Sequence, residues 1–261
     1  MASGIVFYEG PSLIDGRPIV AIATLGTRNQ KTGPLVQTWI LRSDVSPTVA
    51  INTGADSSVC GSCPLRGIIA KSAKLKRKKV NRYRACYVQV GQAPNAVWKA
   101  YRKGVYTPID KLSPTTVKAL ARRRLRLGSY GDPVAVPQAA WDALQAYCKP
   151  GRHPGYTHQW RDAVSEGWQG RLMASVQSVA EQRQAKAAGW RTFRIMRGTD
   201  ELLPDEVMCP AAPEAGATKT CEQCGACNGM RGPGDQRKSI AIPGHGSRNA
   251  VLPSLNRLLQ Q

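Results

Sequence analysis

RLMASVQSVAEQRQAKAAGWRTFRIM, residues 171–196, is the stretch that decides the fold. Arg171 to Ser178 reads as a strand ending in polar residues, and Arg191 to Met196 reads as a second strand. Between them, Val179 to Ala188 is an Ala-rich helix closed by Gly189. A strand, a helix and a strand, with a connection too long for a hairpin, imply a βαβ crossover and a parallel sheet.

Upstream, the same order recurs. Cys86 to Val90 reads as a strand, and Ala93 to Lys103 as a helix with Val97, Ala100 and Tyr101 at helical spacing and Pro94 in its first turn. Leu125 to Tyr130 is a further strand, followed by a Gly131-Asp132-Pro133 turn and a helix from Gln138 to Tyr147 that Pro137 opens. Gly155 to Gln159 adds another strand. Nearer the N-terminus, residues 19–25 (IVAIATL) and 35–41 (LVQTWIL) pair as a β-hairpin across a Gly/Asn/Lys turn. The fold class expected is α/β: a partial or full parallel β/α barrel with an N-terminal β-hairpin region and a Cys-rich, metal-binding C-terminal segment. Residues 1–206 form the barrel-like domain, with a basic insertion at 71–84 read as an exposed loop or short basic helix. Residues 207–261 pack on it. They have almost no apolar periodicity and one strand-like run, Ser239 to Ile242, so a metal has to do what a core does elsewhere.

Seven of the eight cysteines fall into two sets with metal-ligand spacing. Cys209, Cys221, Cys224 and Cys227 supply four thiolates, the number that completes a Zn²⁺ tetrahedron or a [4Fe-4S] cube. The tandem C-x2-C-x2-C favours the cube. Cys60 and Cys63, with Cys86 downstream, supply three. Three sulfurs leave one iron of a cluster open to a small molecule, whereas zinc would take a histidine, His153, His158 or His245, as its fourth ligand. Cys148, at the end of a helix, reads as a core thiol.

The chain of 261 residues carries 37 Lys plus Arg against 17 Asp plus Glu, a formal net charge of +20. Such an excess attracts polyanions, and it makes nucleic acid or a nucleotide the expected partner. Lys74, Lys76, Arg77, Lys78 and Lys79 lie in one run of eight basic residues in fourteen, and Arg122, Arg123, Arg124 and Arg126 form a second. No apolar run approaches a membrane span and MASGIVFYEG lacks the pattern of a secretory signal, so a cytoplasmic protein with reduced thiols and no membrane partner is expected.

In parallel sheets the chemistry gathers at the C-terminal strand ends. That rule selects Tyr130, Asp132, His158, Gln159, Ser175, Gln177, Ser178, Arg197 and His245 as one mouth. Asp132 and His158 are the candidate catalytic groups. Asp132 equally suits an Asx turn, and His158 equally suits a hydrogen-bonded structural role.

The ordered segments NTGADSSVCGSCP (52–64), ACYVQVGQAP (85–94), RLGSYGDP (126–133), GYTHQW (155–160), LMASVQS (172–178), GWRTFRIM (189–196), TCEQCGAC (220–227) and IPGHGS (242–247) resemble a family of bacteriophage proteins without an assigned activity. More distantly, they resemble phage radical-SAM-like iron-sulfur barrels. The resemblance implies one or two [4Fe-4S] clusters, with Cys60, Cys63 and Cys86 in the place of the radical-SAM triad. It also implies that Gly128, Tyr130, Gly131 and Asp132 hold S-adenosylmethionine (SAM), with Ser175 and Gln177 nearby on the mouth, and that the distal cysteines form an auxiliary-cluster segment. The chain departs from the pattern in two respects: the usual C-x3-C-x2-C loop is split by 22 residues before Cys86, and a Gly-Gly-Glu motif is missing.

Two classes of function follow. In one, the chain is a phage iron-sulfur, radical-SAM-like enzyme acting on a nucleic acid or nucleotide, for example by base modification in the host cytoplasm. In the other, zinc stabilises a non-catalytic, basic nucleic-acid-binding protein. A third expectation, hydrolysis or base exchange at Asp132 with the cysteines only structural, predicts that Cys60 is dispensable for turnover.

Overall fold

The computed structural model describes residues 3–26, 29–71, 79–82, 84–196 and 200–244. In chain order the strands and helices are β1 (Gly4–Pro11), β2 (Pro18–Thr24), β3 (Val36–Arg42), α1 (Pro47–Thr53), α2 (Ser57–Cys60), β4 (Ile68–Lys71), β5 (Lys79–Arg82), α3 (Ala93–Arg102), β6 (Thr107–Pro108), α4 (Pro114–Leu120), β7 (Leu125–Tyr130) and α5 (Gln138–Gln145). There follow β8 (Tyr156–Thr157), β9 (Met173–Val176), α6 (Val179–Ala187), β10 (Thr192–Met196), β11 (Glu206–Met208), α7 (Cys221–Cys224) and β12 (Ser239–Pro243).

The fold is mixed α/β. One five-stranded sheet has the order β6-β1-β2-β3-β7 and a second has the order β11-β12-β10-β9-β8. The first mixes antiparallel β1-β2-β3 pairing with parallel β7 on β3, whereas every pair in the second is parallel. A parallel bridge from Leu127 to Gly155 links β7 to the chain just ahead of β8. Among the described residues β6 and β11 are free edges, so no closed barrel forms.

Local chemistry accounts for the elements. β2 and β3 are buried along almost their whole length, as continuous apolar runs covered on both faces should be. Ser178 caps α6 by accepting from the Glu181 amide, and Gly189 follows the helix at φ 79°, a left-handed value that glycine adopts without strain. Pro47 and Pro114 open α1 and α4 behind capping Ser46 and Ser113. One apolar cluster runs through both sheets, from Ile5, Ile22 and Leu41 through Trp141 to Ala174, Val176 and Trp190. Trp141 packs 4.9 Å from Phe7 and donates its indole N–H to the Pro133 carbonyl at 3.0 Å.

Several expectations need correction. Cys86 to Val90 forms no strand; Ala85 and Cys86 instead donate their amides to the Leu65 carbonyl, which fixes this stretch beside the loop that follows Cys63. Neither a loop nor a helix spans 71–82 as a whole, because Ile68–Lys71 and Lys79–Arg82 pair antiparallel. Lys79 lies in that strand, whereas Lys74, Lys76, Arg77 and Lys78 lie outside the described residues, as do Arg197 and His245. The Cys-rich segment does more than pack on a barrel: β11 and β12 extend the second sheet from the β10 edge. β1 was not expected; it pairs antiparallel with β2, with a register shift between Val6 and Tyr8. Among the described residues no helix is long and apolar enough to cross a membrane.

Candidate functional site

A cavity of about 360 Å³ opens where the two sheets meet. Cys60, Cys63 and Cys86 line one part of its wall, and Cys209 and Cys221 line another. Tyr130, Asp132, His158 and Ser175, expected at one mouth, border it as well, and so do Gly128 and Gly131. Gln177 reaches it only indirectly, through an amide nitrogen 3.2 Å from His158 Nε2.

The first cysteine loop is built by side chains. α2 ends at Gly61, whose φ of 52° and ψ of −131° suit glycine alone, and the Cys63 amide turns back onto the Cys60 carbonyl at 3.1 Å. Arg66 donates to the Gly61 and Gly54 carbonyls and pairs with the buried Asp56 carboxylate at 2.7 Å. Arg84, also buried, stands 3.8 Å from the other Asp56 oxygen. From the opposite side, Gln159 donates to the Cys60 carbonyl at 3.0 Å and accepts from the Ser62 amide at 2.9 Å. A methyl group on Gly61 would fall 2.2 Å from the Gln159 oxygen, so the approach itself needs glycine.

Asp132 sits behind this clamp. Its Oδ2 accepts from Thr157 Oγ1 at 3.0 Å, the His158 amide at 2.8 Å and Gln159 Nε2 at 3.3 Å, and its Oδ1 accepts from the Val134 amide at 3.3 Å. Burial raises its pKa to about 6 against these lowering hydrogen bonds. Such a carboxylate is committed to holding backbone and Gln159. It therefore orients the cysteine loop and caps its own turn, and the Asx alternative describes its local bonding. His158 lies on the cavity wall with its pKa lowered to about 4 by burial, so the imidazole is neutral near pH 7. His153 is turned away from ligation, because its Nδ1 accepts from the Leu125 amide at 2.9 Å.

The second cysteine set is held mainly through the backbone. Thr220 and Gln223 form a reciprocal capping box on α7, and Gly225 closes it at φ 60°. The Cys221 amide donates to the Lys31 carbonyl, Cys209 to Ala241, and the Cys227 carbonyl accepts from Gly155. Cys209, Cys221, Cys224 and Cys227 border one small cavity of about 10 Å³ together with Pro154, Ala226 and Ile240. Cys148 is buried and donates to the Leu144 carbonyl at 3.4 Å, as a core thiol should.

Within each set the thiols feel one another's charge. Cys63 and Cys86 raise the pKa of Cys60, and Cys209, Cys221 and Cys224 raise that of Cys227, in both cases after the larger effect of burial. Burial pushes Cys227 up to about 12 and Cys60 well above its ordinary value, so these thiols are protonated without a cation. Among the described residues no three His, Cys, Asp or Glu side chains stand at ligating separation. The donor types still fit a thiophilic metal: soft sulfurs share a cavity wall in each set and would give up their protons to a bound cation.

The basic run at 122–126 is split by the fold. Arg122 is exposed, Arg123 donates to the Leu25 carbonyl at 2.5 Å, and Arg124 donates to the Glu222 carbonyl and pairs with its carboxylate at 3.3 Å. Arg126 turns to the large cavity. Sequence reasoning missed Asp56, Arg66 and Arg84, although Asp56 and Arg66 flank the Cys60–Cys63 loop closely enough for their charges to have been a signal.

No family model, no curated protein and no solved structure matches the chain.

Proposed function

We propose that the chain is an iron-sulfur protein of the radical-SAM-like type, with the two sheets joined through the Leu127–Gly155 bridge as an open, partial barrel. Its substrate is a nucleotide or nucleic acid, as the net charge of +20 suggests. One observation carries the reading: Cys60, Cys63 and Cys86 face the same cavity as the Gly128–Asp132 strand end. Cys60, Cys63 and Cys86 would hold a cluster there, which would supply one-electron reduction of a SAM sulfonium. The protein's own part is positional. Gln159, Arg66 and Asp56 hold the cysteine loop, and the left-handed Gly128 and Gly131 let backbone border the cavity where side chains would clash with Gly131 and Ile40. Neutral His158 offers the cavity a hydrogen-bonding nitrogen. The resemblance to phage radical-SAM-like proteins supports the same reading.

A second reading applies to the distal set. The space among Cys209, Cys221, Cys224 and Cys227 is about 10 Å³, the size of one small ion or water, which favours a structural zinc over a cube. In its full form this reading makes both sites zinc and the protein a non-catalytic nucleic-acid binder.

Anaerobic purification followed by iron, sulfide and zinc analysis and a reductive SAM-cleavage assay decides the matter. About four iron and four sulfide with one zinc per chain match a cluster at the first set and zinc at the second. About eight iron match two clusters. Zinc alone, in a colourless protein that leaves SAM intact, overturns the enzyme reading. Cys60→Ser should lose the iron of the first set and SAM cleavage together; retained cleavage would favour chemistry at Asp132 instead.

A further inference from the structure

The large cavity has cations facing it that no carboxylate neutralises. Arg126 reaches it from β7 and Lys31 from the loop before β3, and among the described residues neither is in an ion pair. Among the described residues Arg126 donates only to the Tyr87 hydroxyl, at 2.8 Å. The Lys31 carbonyl accepts from the Cys221 amide at 2.9 Å, which places this residue beside the distal thiols. Asp132, the one carboxylate on the cavity wall among the described residues, is saturated by four donors. Beside the distal thiols the wall is aromatic: the Tyr156 and Phe193 ring centroids lie 4.2 Å apart at 42°, and both rings border the cavity.

A guanidinium and an ammonium from separate elements match a dianion, and ring faces beside them match a planar base. We propose that Lys31 and Arg126 hold the phosphate of a nucleotide whose base lies against Tyr156 and Phe193, which presents its sugar or base to the Cys60, Cys63 and Cys86 end. This deepens the preceding reading and rests on its assignment of the cavity as the substrate site. The phosphate can belong to a free nucleotide or to the end of a single strand, and both present the same chemistry to the two cations.

The test is calorimetric titration of the purified chain with nucleoside 5′-monophosphates, the matching nucleosides, inorganic phosphate and a 5′-phosphorylated tetranucleotide. Nucleotide should bind at least about tenfold more tightly than nucleoside, and Arg126→Met or Lys31→Met should erase that advantage while leaving nucleoside affinity unchanged. Arg126→Lys, which keeps the charge, should restore part of it, and the unchanged nucleoside affinity of the Met variant shows that it is folded. Tighter binding of the tetranucleotide than of the monophosphate identifies a strand end as the source; the reverse identifies a free nucleotide. Equal affinity for nucleoside and nucleotide, or a Met variant that binds both as the wild type does, overturns the proposal. Iron and SAM cleavage measured on the same preparations separate the two ideas. Cleavage with no phosphate advantage sinks the anion site alone, and a phosphate advantage in an iron-free protein sinks the radical reading alone.

Discussion

The loop bearing Cys60 and Cys63 and the segment bearing Cys221, Cys224 and Cys227 both place cysteines on a cavity wall, and they are held by opposite means. The first is gripped by charged and amide side chains: Asp56 with Arg66 and Arg84 on one side, Gln159 backed by Asp132 on the other. It would keep its shape with no ion, because its turn is specified by ion pairs and by Gly61. The second is clasped by backbone contacts from Lys31, Ala241 and Gly155, and by Arg191, which donates to the Ala226, Asn228 and Lys238 carbonyls. Around it the buried apolar cluster is small, formed by Met173, Cys209, Ala211, Ala212, Ile240 and Ile242. A site preformed by side chains suits chemistry at an open position; a site short of core suits a metal that holds the chain together.

The largest effect should come from breaking the second region. Cys224→Ser should release residues 210–230 and lower the melting temperature sharply, since metal binding on the order of 10 kcal/mol is coupled to folding in such sites. Limited proteolysis should then cut within 210–230, and Cys60→Ser should leave that stretch resistant. Equal sensitivity of both variants would erase the distinction.

Next comes the ion network of the first region. Asp56→Ala leaves the buried Arg84 and the partly buried Arg66 without their carboxylate and should cost about 3–5 kcal/mol in urea unfolding of the metal-free protein. The same substitution should leave the zinc or iron content of the second set unchanged.

The two regions should also respond to acid with opposite sign. Asp132 has a folded pKa of about 6 against 3.8, so its contribution favours folding at low pH and is lost as pH rises through about 6. His153, buried between β7 and the second region, is lowered to about 4 from 6.5, first by burial and then by Arg124 and Arg171. Its contribution is in place above about 6.5 and is lost as pH falls toward 4. Each amounts to about 3 kcal/mol at most. Relative to wild type, Asp132→Asn should gain stability as pH rises from 4 to 6.5, and His153→Gln, which keeps an acceptor for Leu125, should gain stability as pH falls. Urea midpoints across that range check both.

What could be read in the sequence was whatever depends on neighbours along the chain. The 171–196 stretch showed its strand, helix and strand because apolar runs, a Ser cap and a closing Gly are local signals, and β9, α6 and β10 lie where they indicated. Both sets of cysteines were visible from spacing. The route by which Cys86 joins Cys63 was not, because it depends on two amides meeting the Leu65 carbonyl in chain that has no regular structure. Basic residues were legible as charge and illegible as partners: Arg123 and Arg124 look like a nucleic-acid face until the fold supplies the Leu25 and Glu222 carbonyls. Strand-end reasoning found Asp132 and Gln159 but not that Asp132 acts through Gln159 on the cysteine loop.

That last link yields the smallest effect and the sharpest test of the first region. Gly61→Ala adds a methyl group against the Gln159 amide and forces an L side chain into φ 52°, which should cost about 1–3 kcal/mol. Part of that cost is the collision and part is the backbone. In a Gln159→Ala background the collision disappears and only the backbone part remains, so the double variant should lose less stability than the two single variants summed. Simple additivity would mean that Gln159 does not press on the loop. Reduced metal uptake at Cys60 in Gln159→Ala, with Cys224 metal content intact, would show that the amide serves the first sulfur set and not the fold as a whole.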